Sequence, residues 1–391
     1  MNKLNLRLLL FFSIIATVIS CKKKGCTDPL ASNYDANAEK NENCEYDTAT
    51  VVNYTVPSTY TFTDAAGNNT VSYGGQTSRM DMLSEMVTYL KTANGSNPSP
   101  ATLNASTLLS MYDNSYTSWA DTNLIDNGKK LKNKTALNDA GVQSMFEDWM
   151  NAAATASPGD TSYSYLQSTT GLEWTQVIEK GLMGACFVSQ MTSNYLANIS
   201  NDDNTVADDT SAGKYYTEME HHWDEAYGYF TDAIDYPVNG TNRFWGKYAN
   251  KSYLEDNIGS ATDISLAFRT GRAAISAGDS DAALVQVGIL ETEVKQMVAG
   301  MALHYLNDVK SQIAAGGAQS SINHSMSEAL AFIFGIQFVT DSPDISSADV
   351  MGLVNQKAPD VAGFSMDITE INVVIDQVAA ATGLTDKKDD F

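Results

Sequence analysis

Basic residues are scarce in this chain of 391 residues: 24 Lys and Arg stand against 47 Asp and Glu, a formal net charge of −23. That balance excludes a nucleic-acid binder, whose affinity comes largely from Lys and Arg neutralising phosphates. Proline is rare too. Pro237 alone falls between Gly181 and Thr340, so little there interrupts long helices. Beyond the N-terminus no run approaches the roughly 20 apolar residues that a membrane-spanning helix needs. No Cys-x-x-Cys pair, phosphate-binding Gly loop or nucleophile–base signature occurs, and the expectation is a non-enzymatic protein. The acidic surplus fits a solvated exported chain or one that binds cations.

What is present begins with an export signal. Lys3 and Arg7 form a positive segment, and Leu8 to Ile19 form a short apolar stretch interrupted by Ser13 and Thr17. Val18-Ile19-Ser20-Cys21 comes next, and it resembles the lipobox of bacterial lipoproteins. The resemblance implies that residues 1–20 are a cleaved signal peptide and that Cys21 becomes a lipidated N-terminus. Such acyl chains contribute about 0.8 kcal/mol per buried methylene and hold the protein to the membrane. Lys22, Lys23 and Lys24 then sit against anionic headgroups, at about 1 kcal/mol each near a charged surface. The absence of Asp after Cys21 resembles the sorting pattern for the outer membrane, and no acidic surface-export signal is present after it. An outer-membrane lipoprotein facing the periplasm is therefore expected.

Four cysteines occur in all. Cys26 and Cys44 flank a polar loop that cannot build a core, so in an oxidising compartment they should pair. Closing such a loop is worth roughly 3 kcal/mol. Residues 21–48 thus read as a lipidated tether with a disulfide-closed loop. Cys26-Thr-Asp-Pro, followed by Ala31-Ser-Asn-Tyr-Asp and a second Cys, resembles a small cysteine-bounded repeat of exported bacterial proteins. Asp28, Asn33, Asp35 and Asn37 could offer oxygens to calcium, but turn formation explains them as well and is the favoured reading. Cys186 stands in an apolar helical stretch and reads as an inert buried thiol.

Residues 49–391 read as a mostly α-helical bundle with a small N-terminal β-hairpin region. Tyr54-Thr55-Val56 and Tyr60-Thr61-Phe62 alternate, and Asp64 to Asn69 would turn the chain between short strands. From Thr77 onward the period is helical, with Met80, Leu83, Met86, Val87 and Leu90 on one stripe. A second helix runs from about Leu172 to Tyr195. Further helices are predicted at about 214–235, 258–277, 281–314, 323–339 and 367–382. Loops such as Asn201-Asp-Asp-Asn204 read as ordinary helix flanks. Met80, Met82 and Met86 read as core rather than as soft-metal ligands.

The four histidines are His221, His222, His304 and His324. His221 with Glu225 and His324 with Glu328 each read His-x-x-x-Glu-Ala, and residues four apart share a helix face. Two such faces opposed in a bundle would gather two imidazoles and two carboxylates, the logic of carboxylate–histidine metal sites. Around His221 the polar face is Glu218, His221, His222 and Glu225, opposite a stripe that includes Tyr216, Met219, Trp223 and Phe230. Around His324 the following helix is apolar almost all round, so His324 and Glu328 need partners. They form either a hydrogen-bonded structural layer or a metal site. His304 could join either arrangement.

Lys214 to Phe230, Phe244 to Asn250, Phe268 to Asp279 and the Glu328 helix resemble an uncharacterised family of helical bacterial lipoproteins. That family is similar in style to the imelysin-like proteins, extracytoplasmic helical bundles linked with iron acquisition, which carry a Gly-x-His-x-x-Glu motif. His222 and Glu225 match its second half, and Glu220 stands where the Gly would be. The resemblance implies a metal- or iron-uptake-associated lipoprotein, binding iron or another divalent transition metal and meeting an outer-membrane uptake receptor. The ligands expected are His221, Glu225, His324 and Glu328, then His222 and His304. The alternative is a non-metal binding module for a glycan, peptide or receptor, using surface aromatics such as Trp223, Tyr227, Trp245 and Tyr248.

Overall fold

The computed structural model describes residues 23–26, 33–35, 37–38, 40–44, 52–239, 243–340 and 366–391. The expected signal peptide, Cys21 and Asp28 lie outside the described residues. Two units divide the chain, residues 1–53 and 54–391.

In the first unit, Cys26 and Cys44 are joined by a disulfide, with their Cα atoms 4.7 Å apart. Strand β1 (Lys24–Gly25) lies parallel to β2 (Lys40–Asn41). The Asp35 carboxylate accepts the Asn37 backbone N–H at 2.9 Å and pairs with Lys23 at 2.7 Å. This is turn chemistry, an Asx side chain closing on the backbone two residues on.

The second unit is mostly helical. Helix α1 (Gly74–Lys91) buries Met80, Leu83, Met86, Val87 and Leu90, the stripe read from the sequence. Helices α2 (Ala105–Asp113) and α3 (Ala140–Ala156) come next, the first capped by the Asn104 side chain and the second by Asp139. Helix α4 (Trp174–Leu182) continues without a break as a wider π-helix over Met183–Leu196, buried nearly throughout. A small hairpin succeeds it, β3 (Ala207–Asp209) antiparallel to β4 (Lys214–Thr217). Helix α5 (Glu218–Phe230) starts at a reciprocal cap: the Thr217 hydroxyl accepts the Glu220 N–H, and the Glu220 carboxylate accepts the Thr217 N–H. The helix expected from residue 214 therefore begins at 218, because β3 pairs with residues 214–217 and Thr217 is the N-cap.

After the short α6 (Phe244–Ala249) and α7 (Ser252–Ile258), three long helices complete the bundle: α8 (Ser260–Ser276), α9 (Ser280–Ala314) and α10 (Gln319–Ile336). Helix α11 (Ile368–Thr382) packs on α9, which also runs along α8 and α10. Among the described residues no helix is long and apolar enough to cross a membrane.

The expected hairpin before α1 is reduced to a turn. Asp64 and Asn68 close it, and the flanks pair at one bridge, Thr63 with Asn69. The neighbouring backbone groups bond to the bundle instead. The Tyr60 N–H donates to the Ile234 carbonyl, and the Pro57 and Thr70 carbonyls accept from Arg269 and Arg272. A two-stranded ribbon is marginal in water, whereas these contacts satisfy the same groups on a packed surface.

Two close approaches fix the helix layers. A Cβ at Gly184 in the π-helix would lie 2.6 Å from the Gly335 Cα of α10, so only glycine allows that crossing. A Cβ at Gly271 of α8 would fall 2.1 Å from the Trp223 ring of α5. Trp223 is fully buried, and its indole N–H donates to the Phe268 carbonyl at 2.9 Å. Beside it Arg272 has no exposed surface. Its guanidinium reaches Asp224 at 2.8 Å, Glu220 at 2.6 Å and the Thr70 carbonyl at 3.0 Å. Arg272 thus ties α5, α8 and the 54–73 segment together. His221 and His222, on another face of α5, keep part of their surface open to solvent.

Candidate functional site

The polar face of α5 meets the loop that precedes β3. Asp202 points its Oδ2 at His222 Nδ1, 2.8 Å away. One turn earlier on α5, Glu218 accepts the Asp203 backbone N–H through Oε2 at 3.0 Å. One donor atom each from Asp202, Glu218 and His222 lies within 4.8 Å of the other two. Among the described residues this is the sole His, Cys, Asp and Glu group with the spacing of a metal site.

Glu218 and His222 line a cavity of about 400 Å³, together with Asp203, Asp208, Tyr216 and His221. Burial pushes the Asp202 carboxyl above the ordinary carboxylate value, and the bond to His222 pulls it part of the way back. His221 lies beside it with its ring stacked on Tyr216, 4.5 Å between centroids. Its Nδ1 is 3.0 Å from the Ser72 carbonyl, which only accepts, so Nδ1 carries the proton and Nε2 is the unprotonated nitrogen. Burial lowers the His221 value further than Glu225 raises it, and the neutral imidazole is favoured.

The two His-x-x-x-Glu pairs do not form the joint site expected of them. Glu225 accepts Gln76 Nε2 of α1 at 2.8 Å, so the His221 pair is spent on the segment and helix that precede it. His324 bonds through Nδ1 to the buried Glu173 at 2.6 Å and stacks on Tyr165. Glu328 faces Lys180 of α4 at 4.0 Å. Each pair thus has its own partners on different elements: His324 a hydrogen bond to Glu173, and Glu328 an ion pair with Lys180. His304 joins neither group; its ring stacks on Tyr253 at 3.8 Å, and burial lowers its value.

The aromatic alternative also needs correction. Trp223 and Trp245 are fully buried and Tyr227 is nearly so. Trp245 donates to the Met183 carbonyl at 3.0 Å, and Tyr227 stacks on Tyr60. Tyr248 is half-buried, packed edge-on to Phe332. These rings are core because α5 and α6 turn their aromatic faces inward, where burying roughly 150–250 Å² each contributes most. Cys186 is free and buried, its thiol pushed up to about 12 by burial, as an inert thiol should be.

Asp202 and Glu218 are the members that the sequence reading passed over. Glu218 carried a signal, since it stands four residues before His222 on the same face. Asp202 carried none, because its place depends on how the loop folds back on α5.

The family described as "Domain of unknown function (DUF4856)" matches residues 57–143 and 137–385. No curated protein and no solved structure matches the chain.

Proposed function

The chain belongs to the DUF4856 family, and on that premise we propose that it is an extracytoplasmic binding lipoprotein whose helical body takes a divalent transition-metal ion at Asp202, Glu218 and His222. The observation that carries this reading is the mutual approach of their donor atoms within 4.8 Å, beside a solvent-open cavity. Ligands about 2.0–2.2 Å from one ion stand roughly 3–3.5 Å apart, so a small inward movement of the exposed Glu218 assembles the set. One imidazole and two carboxylates suit zinc or iron better than calcium, which prefers oxygen alone. Binding is expected to weaken in acid, since metal ligands must be deprotonated.

The lipobox at Cys21 supports an outer-membrane anchor for this body, on the periplasmic side. The imelysin-like resemblance makes iron the first metal to try and an outer-membrane uptake receptor the first partner. A donor set at the cavity mouth suits capture and release better than a closed structural site, in which four protein ligands surround the ion.

The test is calorimetry on the metal-stripped body with Fe(II), Zn(II) and Ca(II), repeated on His222→Ala. Saturable binding of iron or zinc that His222→Ala abolishes supports the proposal. No saturable heat with either metal, or binding that survives the substitution, sinks it.

A further inference from the structure

A second cavity, of about 390 Å³, lies between α1, α4, α6 and α10, away from the metal-type cluster. Its volume is within the roughly 300–1,000 Å³ range of small-molecule sites. What distinguishes it is charge held where charge is costly. Lys180 and Glu328 line it and are almost fully buried. Lys180 pairs with Glu179 at 3.0 Å and Glu328 at 4.0 Å, and its ammonium lies over the Tyr248 ring. Glu328 Oε2 and Gln176 Oε1 have no hydrogen-bond partner among the described residues, and both side chains are more than nine-tenths buried. Both atoms are acceptors, so each can take a further donor beside the Lys180 ammonium. An unsatisfied buried acceptor is unfavourable, and a bound donor would remove that cost.

The outer part of the cavity has the opposite character. Lys91 at the end of α1 and Lys247 on α6 are exposed, and neither makes an ion pair among the described residues. Arg243 stands with them, held in place by Asp81 at 2.6 Å and Asp232 at 2.7 Å. Both lysines line the same cavity, so together they give its outer part positive charge.

We propose that this cavity binds a small zwitterion of the amino-acid type, its ammonium directed to Glu328 and Gln176 and its carboxylate to Lys91 and Lys247. The ligand's ammonium would meet an inner wall where Glu179 and Glu328 outnumber Lys180, and its carboxylate would face the lysines at the mouth. Burial raises the Glu328 carboxyl above its ordinary value, with Lys180 and the Tyr305 hydroxyl opposing, and a ligand ammonium would add to that opposition. The site is independent of metal, since none of its residues belongs to the Asp202, Glu218 and His222 set.

The experiment is calorimetry on the whole soluble body in excess EDTA, with the common amino acids offered one at a time. For any that binds, the matching amine and the matching carboxylic acid, each lacking one charged group, are tested alongside. The expected result is saturable binding of one or more amino acids, with the amine and the acid each weaker by about tenfold or more. The double substitution Lys91→Gln with Lys247→Gln lies on the surface and should leave the fold intact by circular dichroism, yet weaken binding by about tenfold. Glu328→Gln should weaken it independently. No binding by any amino acid, equal binding by the amine or acid alone, or an affinity unmoved by the lysine pair overturns the proposal. Because EDTA is present throughout, failure here leaves the metal reading untouched, and the converse holds too.

Discussion

Arg272 Nε lies 2.8 Å from Asp224 Oδ1, and neither side chain has any exposed surface. Burial pushes the Asp224 carboxyl up, to about 6, while Arg272, the Ser72 amide and the Tyr60 hydroxyl pull it down. For Arg272, burial alone would lower the value, but Asp224 and Glu220 raise it. A guanidinium that cannot give up its proton, facing a carboxylate with three donors, keeps the pair ionised. This pair positions the candidate metal face of α5 from behind.

Removing one partner should therefore be severe. Arg272→Ala is expected to cost about 3–5 kcal/mol, because it leaves Asp224 and Glu220 buried without their cation. Replacing Arg272 by Met together with Asp224→Asn should cost less than the sum of the single changes. Urea unfolding monitored by circular dichroism measures both, and additive losses would contradict the coupling.

The glycine crossing predicts an asymmetry. Gly184→Ala drives a methyl into the Gly335 backbone and should destabilise by about 1–3 kcal/mol. Gly335→Ala meets its nearest atoms at 3.4 Å and 3.5 Å, at ordinary contact distance. It should be clearly milder. Melting temperatures of the two variants decide it, and equal losses would count against this packing.

The metal proposal separates two adjacent histidines. His222→Ala should weaken iron or zinc binding by at least about tenfold, since a direct ligand matters no less than the outer-shell groups whose loss already costs that much. His221→Ala should reduce it far less, since His221 Nδ1 is tied to Ser72 and the ring is stacked on Tyr216. Titration of both variants with the same metal tests the assignment.

His324 should make stability pH-dependent. Burial alone would lower its value, but the hydrogen bond and charge of Glu173 outweigh that and leave it raised. The stability this provides is complete below the unfolded histidine value of about 6.5 and is lost as pH rises through the higher folded value. The melting-temperature gap between the native chain and His324→Gln should narrow from about pH 6 to about pH 8. A gap that is constant or widens would show that the proton is not held there.

The proposed lipid anchor has a direct test. Cys21→Ser should abolish incorporation of labelled fatty acid and move the protein out of the membrane fraction. Unchanged fractionation would remove the basis for the outer-membrane assignment.

Much of the bundle was legible because helix periodicity is local. The stripe Met80, Leu83, Met86, Val87 and Leu90 is buried as read, as are Met219 and Phe230 on α5. Helices α8 to α11 fall where the pattern puts them, within a few residues. The disulfide between Cys26 and Cys44 was also readable, since two cysteines bounding a polar loop leave few other partners. What failed were inferences about which surfaces meet. The repeated His-x-x-x-Glu spacing put each pair on one helix face, yet a face says nothing about what lies opposite.

That is where sequence and tertiary structure divide for this protein. The sequence by itself determined the helical body, its burial stripes and the cysteine-closed loop, because each is set by residues close together along the chain. Only the tertiary structure decided that Glu173 and Lys180 occupy the partners' places beside His324 and Glu328. It alone turned Trp223 and Trp245 into core, and it alone brought Asp202 to His222 across 20 residues. Those pairings depend on how helices rotate about their axes as they pack and on where a loop returns, which are properties of the whole fold and not of any local spacing.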